Sequence, residues 1–208
     1  MGGASLQTLP KGVGLRRCFE SRFREGLIVV SDWNAMELRL ALAISGEKDL
    51  TETDIHTKAA QKLFKKANIS HEEREKAKII NFSAIYGGFV HKYAADISEL
   101  YPLLGIKIQE VTVLARQIKK QINVFGRKRF FNDNTLFQTK AFNNLVQGTA
   151  ADICLRALYL VQEKIRLQKL ESKIILAVHD SIVFDCKKNE LDTILKIIQE
   201  VMTDAAIP

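Results

Sequence analysis

Asp32 follows the apolar run LIVV (27–30) and Ser31, and Asp180 stands between two further apolar runs, KIILAV and SIVFDC. A carboxylate at the end of a strand stays hydrated while the strand buries its faces. If folding brings Asp32 and Asp180 together, the pair could hold two magnesium ions about 3.5–4 Å apart. Magnesium takes a few carboxylates and leaves its other positions to water and substrate phosphates, so two aspartates are a reasonable protein share. One such ion would lower the pKa of an attacking hydroxyl, and the other would stabilise a leaving pyrophosphate. Taken singly, each residue is more simply a solvated turn aspartate, because Asp is a common turn former.

A second pattern is Arg74, Lys78, Phe82 and Tyr86, which recur at every fourth residue. On an α-helix each such step rises about 6 Å and drifts about 40°, so the four form one inclined stripe. Its cationic half could take phosphates and its aromatic half could stack on a base and sugar. The alternative is a basic solvated patch followed by two core aromatics, the commoner fate of Phe and Tyr at helical spacing.

The elements that position these residues follow from punctuation and periodicity. Residues 1–26 read as irregular, 27–30 as a short buried strand, and 36–44 as a helix. Asp54 is a natural N-cap for a helix beginning DIHTKAA. Ser70 caps the next, with Glu72 and Glu73 in its first turn and Gly87-Gly88 ending it. The stretch 89–125 reads as helical with a break at Tyr101-Pro102, and GRKRFFNDN (126–134) as a basic turn. A long helix is expected from Leu136 or Gln147 to Lys169, then a tight hairpin about His179-Asp180, then an amphipathic helix over 189–204.

Composition sets bounds. The apolar share of 47% and charged share of 26% are those of a folded chain, which excludes general disorder. The net charge of +7 suits a polyanionic partner. Three scattered cysteines without a CxxC pair suggest neither a disulfide framework nor a zinc site, and they fit a reducing compartment. The apolar runs are too short to cross a membrane, and the first residues carry no signal-peptide pattern.

In order, these segments resemble the motifs of the family A DNA polymerases, the group containing bacterial DNA polymerase I. SDWNAMELR is similar to that family's first palm motif, D-x-S-x-I-E-L-R. Arg74, Lys78, Phe82, Tyr86 and Gly87 match its fingers helix, R-x-x-x-K-x-x-x-F-x-x-x-Y-G. VHDSIVF is similar to its last palm motif, V-H-D-E-x-V-F. DIH (54–56), VQGTAAD (146–152) and LQTLP (6–10) each resemble a further motif.

The resemblance implies an α+β fold: an antiparallel palm sheet with packed helices and a helical fingers insertion, without the thumb. The implied division is 1–45 palm, 46–125 fingers and 126–208 palm. It implies Asp32, Asp180 and the Trp33 backbone carbonyl as ligands of two magnesium ions, with the two aspartates catalytic. It places His56, Arg74 and Lys78 on the triphosphate of a deoxynucleotide, Phe82 and Tyr86 over the base pair, and Glu37 where a 2′-hydroxyl would clash. It sets Asn143, Gln147 and His179 against primer–template DNA, and GRKR (126–129) is a candidate backbone contact or a solvated turn.

Three features depart from the family pattern: Ser181 replaces the usual Glu, LQTLP replaces LQNIP, and the stretch from Tyr86 to ELYP (99–102) is short. They lean toward a phage or mobile-element enzyme acting in a host cytoplasm. The ends suggest a fragment lacking thumb and exonuclease segments. The rival functions are an inactive primer–template-binding remnant and a phage-type single-subunit RNA polymerase, which shares His-Asp-Ser in the last motif. Glu37, Phe82 and QGTAAD favour DNA synthesis over the latter.

Overall fold

The apolar run at 27–30 becomes β1 (Leu27–Asp32), the first element of a computed structural model that describes residues 14, 18–48, 54–86, 92–132 and 140–204. The segments LQTLP (6–10), Gly87-Gly88 and AAIP lie outside these residues. The chain divides into two units, one of residues 1–34 with 151–208 and one of residues 35–150.

In the first unit, β1 pairs antiparallel with β5 (Ser181–Cys186), which pairs on its other side with β4 (Lys173–Val178). Central β5 is the most enclosed strand: Ile182, Phe184 and Cys186 are fully buried. Their period of two is that of a strand with one face in the core. β4 and β5 are joined through His179-Asp180, with Val178 paired to Ser181, so the expected hairpin is present. The part of α6 (Lys140–Leu167) beyond Ala150 buries Ile153, Ala157, Val161 and Ile165, a four-residue rhythm. α7 (Leu191–Asp204) buries Ile194, Ile197, Ile198 and Val201 along one stripe, as its amphipathic sequence implies.

The second unit is mainly helical: α1 (Met36–Ser45), α2 (Ile55–Phe64), α3 (His71–Tyr86), α4 (Ala94–Leu100), α5 (Pro102–Ile118) and the start of α6. One core gathers Leu38, Leu42, Ile55, Ile80, Ile85, Ile97, Leu104 and Phe142, with Ala41, Ala59, Ala77 and Ala84 between them. Such small residues let neighbouring helices approach closely. Asp54 caps α2 as expected, accepting from the His56 and Thr57 amides at 3.1 and 3.2 Å. Ser70 and Glu73 form a reciprocal capping box at α3: the Glu73 amide donates to Ser70 Oγ and the Ser70 amide to the Glu73 carboxylate.

Two expectations are corrected. Helix does not continue to 125: α5 stops at Ile118, Lys119 turns to φ 53°, and β2 (Lys120–Ile122) pairs with β3 (Lys128–Phe130). Asn123 organises the intervening loop, its Oδ1 accepting from the Phe125 and Arg127 amides, while Gly126 supplies φ 82°. Lys128 and Arg129 of the GRKR segment therefore lie in a strand rather than a turn. The long helix is described over Lys140–Leu167, with Lys169 at φ 54° beyond its end, and the expected start at Leu136 lies outside the described residues.

Candidate functional site

β1 and β5 bring the two distant aspartates to one end of the sheet. Asp32 is the cross-strand partner of Ser181, so its neighbour across the ladder is the residue after Asp180. The ladder continues one step beyond the strands, where the Trp33 amide donates to the Asp180 carbonyl at 3.2 Å. Trp33 is also fixed from α7: its indole Nε1–H donates to the Met202 carbonyl at 3.0 Å. Asp180 lies close enough to α6 for its charge to add to burial in pushing the Cys154 thiol pKa up. Ser181, standing where a Glu was expected, turns its hydroxyl back to the Val178 carbonyl at 2.9 Å.

His179 opens the turn at φ 53°, a conformation that costs an L-residue about 1 kcal/mol and that glycine adopts freely. Strain of this kind concentrates at functional positions. Among the described residues no group of three or more His, Cys, Asp or Glu side chains could hold a metal ion. A pair of carboxylates suits a hard cation that completes its shell with water and phosphate, as magnesium does, and is too few for zinc.

In the helical unit, α3 displays the whole predicted stripe. Its opposite face packs Ala77, Ile80, Ala84 and Ile85 into the core. Phe82 and Tyr86 are 45% and 48% exposed, which rules out the alternative that they are core aromatics. His56 of α2 joins this face: its ring centroid lies 6.0 Å from that of Phe82, and Arg74 and Lys78 both act on its charge. Burial first, and then these two cations, lower the His56 pKa, so at neutral pH it offers an N–H rather than a positive charge. Arg74 and Lys78 are held by carboxylates: Arg74 by both oxygens of Asp54 at 2.8 and 3.2 Å, Lys78 by Glu75 at 3.7 Å.

A third grouping joins three helices of the same unit. The Tyr86 hydroxyl donates to the Glu37 carboxylate of α1, and Gln147 of α6 approaches the same hydroxyl at 3.5 Å. One turn before Gln147, the Asn143 Oδ1 is buried and finds no hydrogen-bond partner among the described residues.

Known proteins bear on these groupings. The sequence model described as DNA polymerase family A matches residues 4–208. The chain belongs to DNA polymerase family A. Among its family A relatives, DNA polymerase I of Bacillus subtilis (strain 168) is 28% identical over 97% of this chain and 27% of its own length. The thermostable DNA polymerase I of Thermus thermophilus is 30% identical over 93% of this chain and 26% of its own. The chain thus spans about a quarter of the length of these relatives. Among solved structures, the POL domain of Pol1 from M. smegmatis, in complex with DNA primer-template and dNTP, superposes with a TM-score of 0.81. At 23% identity, over 96% of this chain and 41% of that one, it shows the shared fold. The expected α+β class, an antiparallel sheet with packed helices, is borne out.

Three residues on the family A stripe's margin escaped the sequence reading. The sequence marks Asp54 as a helix cap and as the first residue of DIH (54–56); its grip on Arg74, twenty residues on, is tertiary. Asn81 lies among the apolar positions of α3, and a polar residue in a core stripe is a signal that could have been read. Tyr101 stands out in the sequence as a helix break and as part of ELYP (99–102), neither of which points to a bond with Asn81.

The Asp54–Arg74 pair makes a pH prediction. The Arg74 guanidinium holds the Asp54 carboxyl well below the usual carboxylate range. The pair therefore stabilises the fold above about pH 4, and that contribution is lost as acid protonates the carboxylate. Asn caps helices about as well as Asp but carries no charge. Asp54→Asn is expected to lose less stability than the parent between about pH 5 and about pH 3, measured by urea unfolding. Equal losses in both proteins would contradict the assignment.

Proposed function

We propose that this family A chain is a template-directed DNA polymerase core that adds deoxynucleotides to a primer 3′-hydroxyl with two magnesium ions. The observation that carries the reading is the meeting of Asp32 and Asp180 at one sheet end, through the Asp32–Ser181 pairing and the Trp33 to Asp180 hydrogen bond. Asp32, Asp180 and the Trp33 carbonyl would hold the ions. When bound, they lower the pKa of the attacking hydroxyl and offset charge on the leaving pyrophosphate.

The remaining roles belong to the chain's own groups. Arg74 and Lys78 exchange their carboxylate partners for triphosphate oxygens, gaining charge-assisted hydrogen bonds. His56 adds a neutral donor. Phe82 and Tyr86, already exposed, stack on the incoming base and sugar. Glu37, held by Tyr86, fills the space a 2′-hydroxyl would need, so selection is by clash. Asn143, Gln147 and His179 contact primer–template DNA, and the exposed Arg127, Lys128 and Arg129 contact its backbone. Palm roles fall to 1–45 and 126–208, and fingers roles to 46–125.

Free thiols at Cys18, Cys154 and Cys186 fit a reducing cytoplasm. Among the described residues no helix is long and apolar enough to cross a membrane. A phage or mobile-element source, and with it a part in viral DNA replication, rests on Ser181, LQTLP and the short stretch between Tyr86 and Tyr101.

The test is primer extension by the purified chain with magnesium and all four deoxynucleotides. Template-directed products that vanish with EDTA are expected. Primer–template binding without any extension would leave the inactive-remnant reading, and a preference for ribonucleotides would turn the reading to an RNA polymerase.

A further inference from the structure

A buried chain of side chains runs behind the proposed triphosphate stripe. Tyr101, at the corner between α4 and α5, donates its hydroxyl to the Asn81 Oδ1 at 2.8 Å. Asn81 Nδ2 in turn lies 2.9 Å from His56 Nδ1. Asn81, Tyr101 and His56 are 1%, 7% and 8% exposed, so water does not compete for these bonds.

The direction of the chain follows from what each group can do. An amide NH₂ only donates and an amide oxygen only accepts. With the Tyr101 hydroxyl donating to the oxygen, the NH₂ faces the imidazole, so His56 Nδ1 must accept and carry no proton. Turning the amide over would aim its NH₂ at the phenol and strand the phenolic hydrogen in a dry site, at a cost of about 1–3 kcal/mol. A neutral imidazole with a bare Nδ1 carries its proton on Nε2.

We infer that Asn81, clamped by Tyr101, is a positioning residue that fixes His56 as the Nε2–H tautomer and so makes it a neutral hydrogen-bond donor to the nucleotide triphosphate. The inference rests on the polymerase reading for its ligand, though not for its tautomer. Several groups face the imidazole. Asp54 lies just before it on the α2 cap, Arg74, Glu75, Lys78, Asn81 and Phe82 come from α3, and Tyr101 backs Asn81 from the α4–α5 corner. Burial keeps the Tyr101 phenol protonated far above neutrality, so it remains a donor throughout. Supplying donors rather than a third cation leaves Arg74 and Lys78 to carry the charge. Burial, together with Arg74 and Lys78, favours the same neutral form by lowering the His56 pKa.

The experiment is long-range ¹H–¹⁵N spectroscopy of the full chain, with His56 assigned by His56→Gln. The parent is expected to show a protonated Nε2 and a bare Nδ1 at neutral pH. Titrating dTTP with magnesium is expected to shift the Nε2–H signal. In Asn81→Asp the carboxylate accepts from Nδ1–H, so His56 should become doubly protonated, its midpoint raised by about one unit or more. Tyr101→Phe, a milder change, should admit a second signal from the Nδ1–H form. A proton on Nδ1 in the parent overturns the inference, as does an Nε2–H that saturating dTTP leaves unmoved. Unchanged His56 protonation in a folded Asn81→Asp overturns it too. Expected spectra from a chain that fails to extend primers would instead overturn the polymerase reading while leaving the tautomer assignment standing.

Discussion

Asp180→Ala is expected to lower the rate of primer extension about a thousandfold or more while leaving primer–template affinity within about twofold. The loss corresponds to about 4 kcal/mol of transition-state stabilisation, the scale of removing a charge-stabilising metal. DNA affinity survives because it comes mainly from cations on phosphates, none of which the substitution touches. Asp180 sits at a half-buried hairpin turn, and its backbone carbonyl, which receives the Trp33 amide, is retained in the variant. Folding should therefore persist, as circular dichroism would show. A variant that extends primers within tenfold of the parent would refute the ligand role. Loss of DNA binding alongside extension would show that the substitution damages the fold.

Glu37→Ala should open the sugar pocket. The Tyr86 hydroxyl donates to Glu37, which holds the carboxylate in one place and gives it a rigid face. A misfit of about one heavy atom is worth about 1–3 kcal/mol, so discrimination against ribonucleotides should fall about 10–200-fold. The ratio of kcat/KM for dCTP and CTP reads this directly. Tyr86→Phe removes only the hydroxyl and leaves the ring, so it should loosen Glu37 and cost selectivity less. An unchanged ratio in Glu37→Ala would mean that the sugar is selected elsewhere.

Local punctuation made much of this legible. The run at 27–30 and the pair of runs around His179-Asp180 could be read as strands because they are short apolar runs rich in β-branched residues and bounded by turn formers. Asp54 and Ser70 were readable as caps because their partners are two or three residues away. The α3 stripe was readable because helical spacing alone sets it. That its aromatics are exposed was not, since Phe82 and Tyr86 have the periodicity of core residues. The β2–β3 hairpin was missed because KQI and KRF are three residues each and mostly exposed, so neither carries an apolar alternation. Only folding shows Asp54 gripping Arg74, Tyr101 backing Asn81, or α7 tethering the Trp33 indole. Each joins residues far apart in sequence through side chains that have simpler local explanations.

The proposed nucleotide transfer would depend on divalent ions held at the sheet end by Asp32 and Asp180. Manganese, a paramagnetic substitute for magnesium, can be titrated into the full chain bound to a dideoxy-terminated primer–template and the next deoxynucleotide. Amide signals of Trp33 and of residues 179–181 should broaden first, and Asp32→Ala or Asp180→Ala should abolish that selectivity. Broadening centred on any other part of the chain, with those signals sharp, would contradict the assignment of Asp32 and Asp180 as the metal ligands.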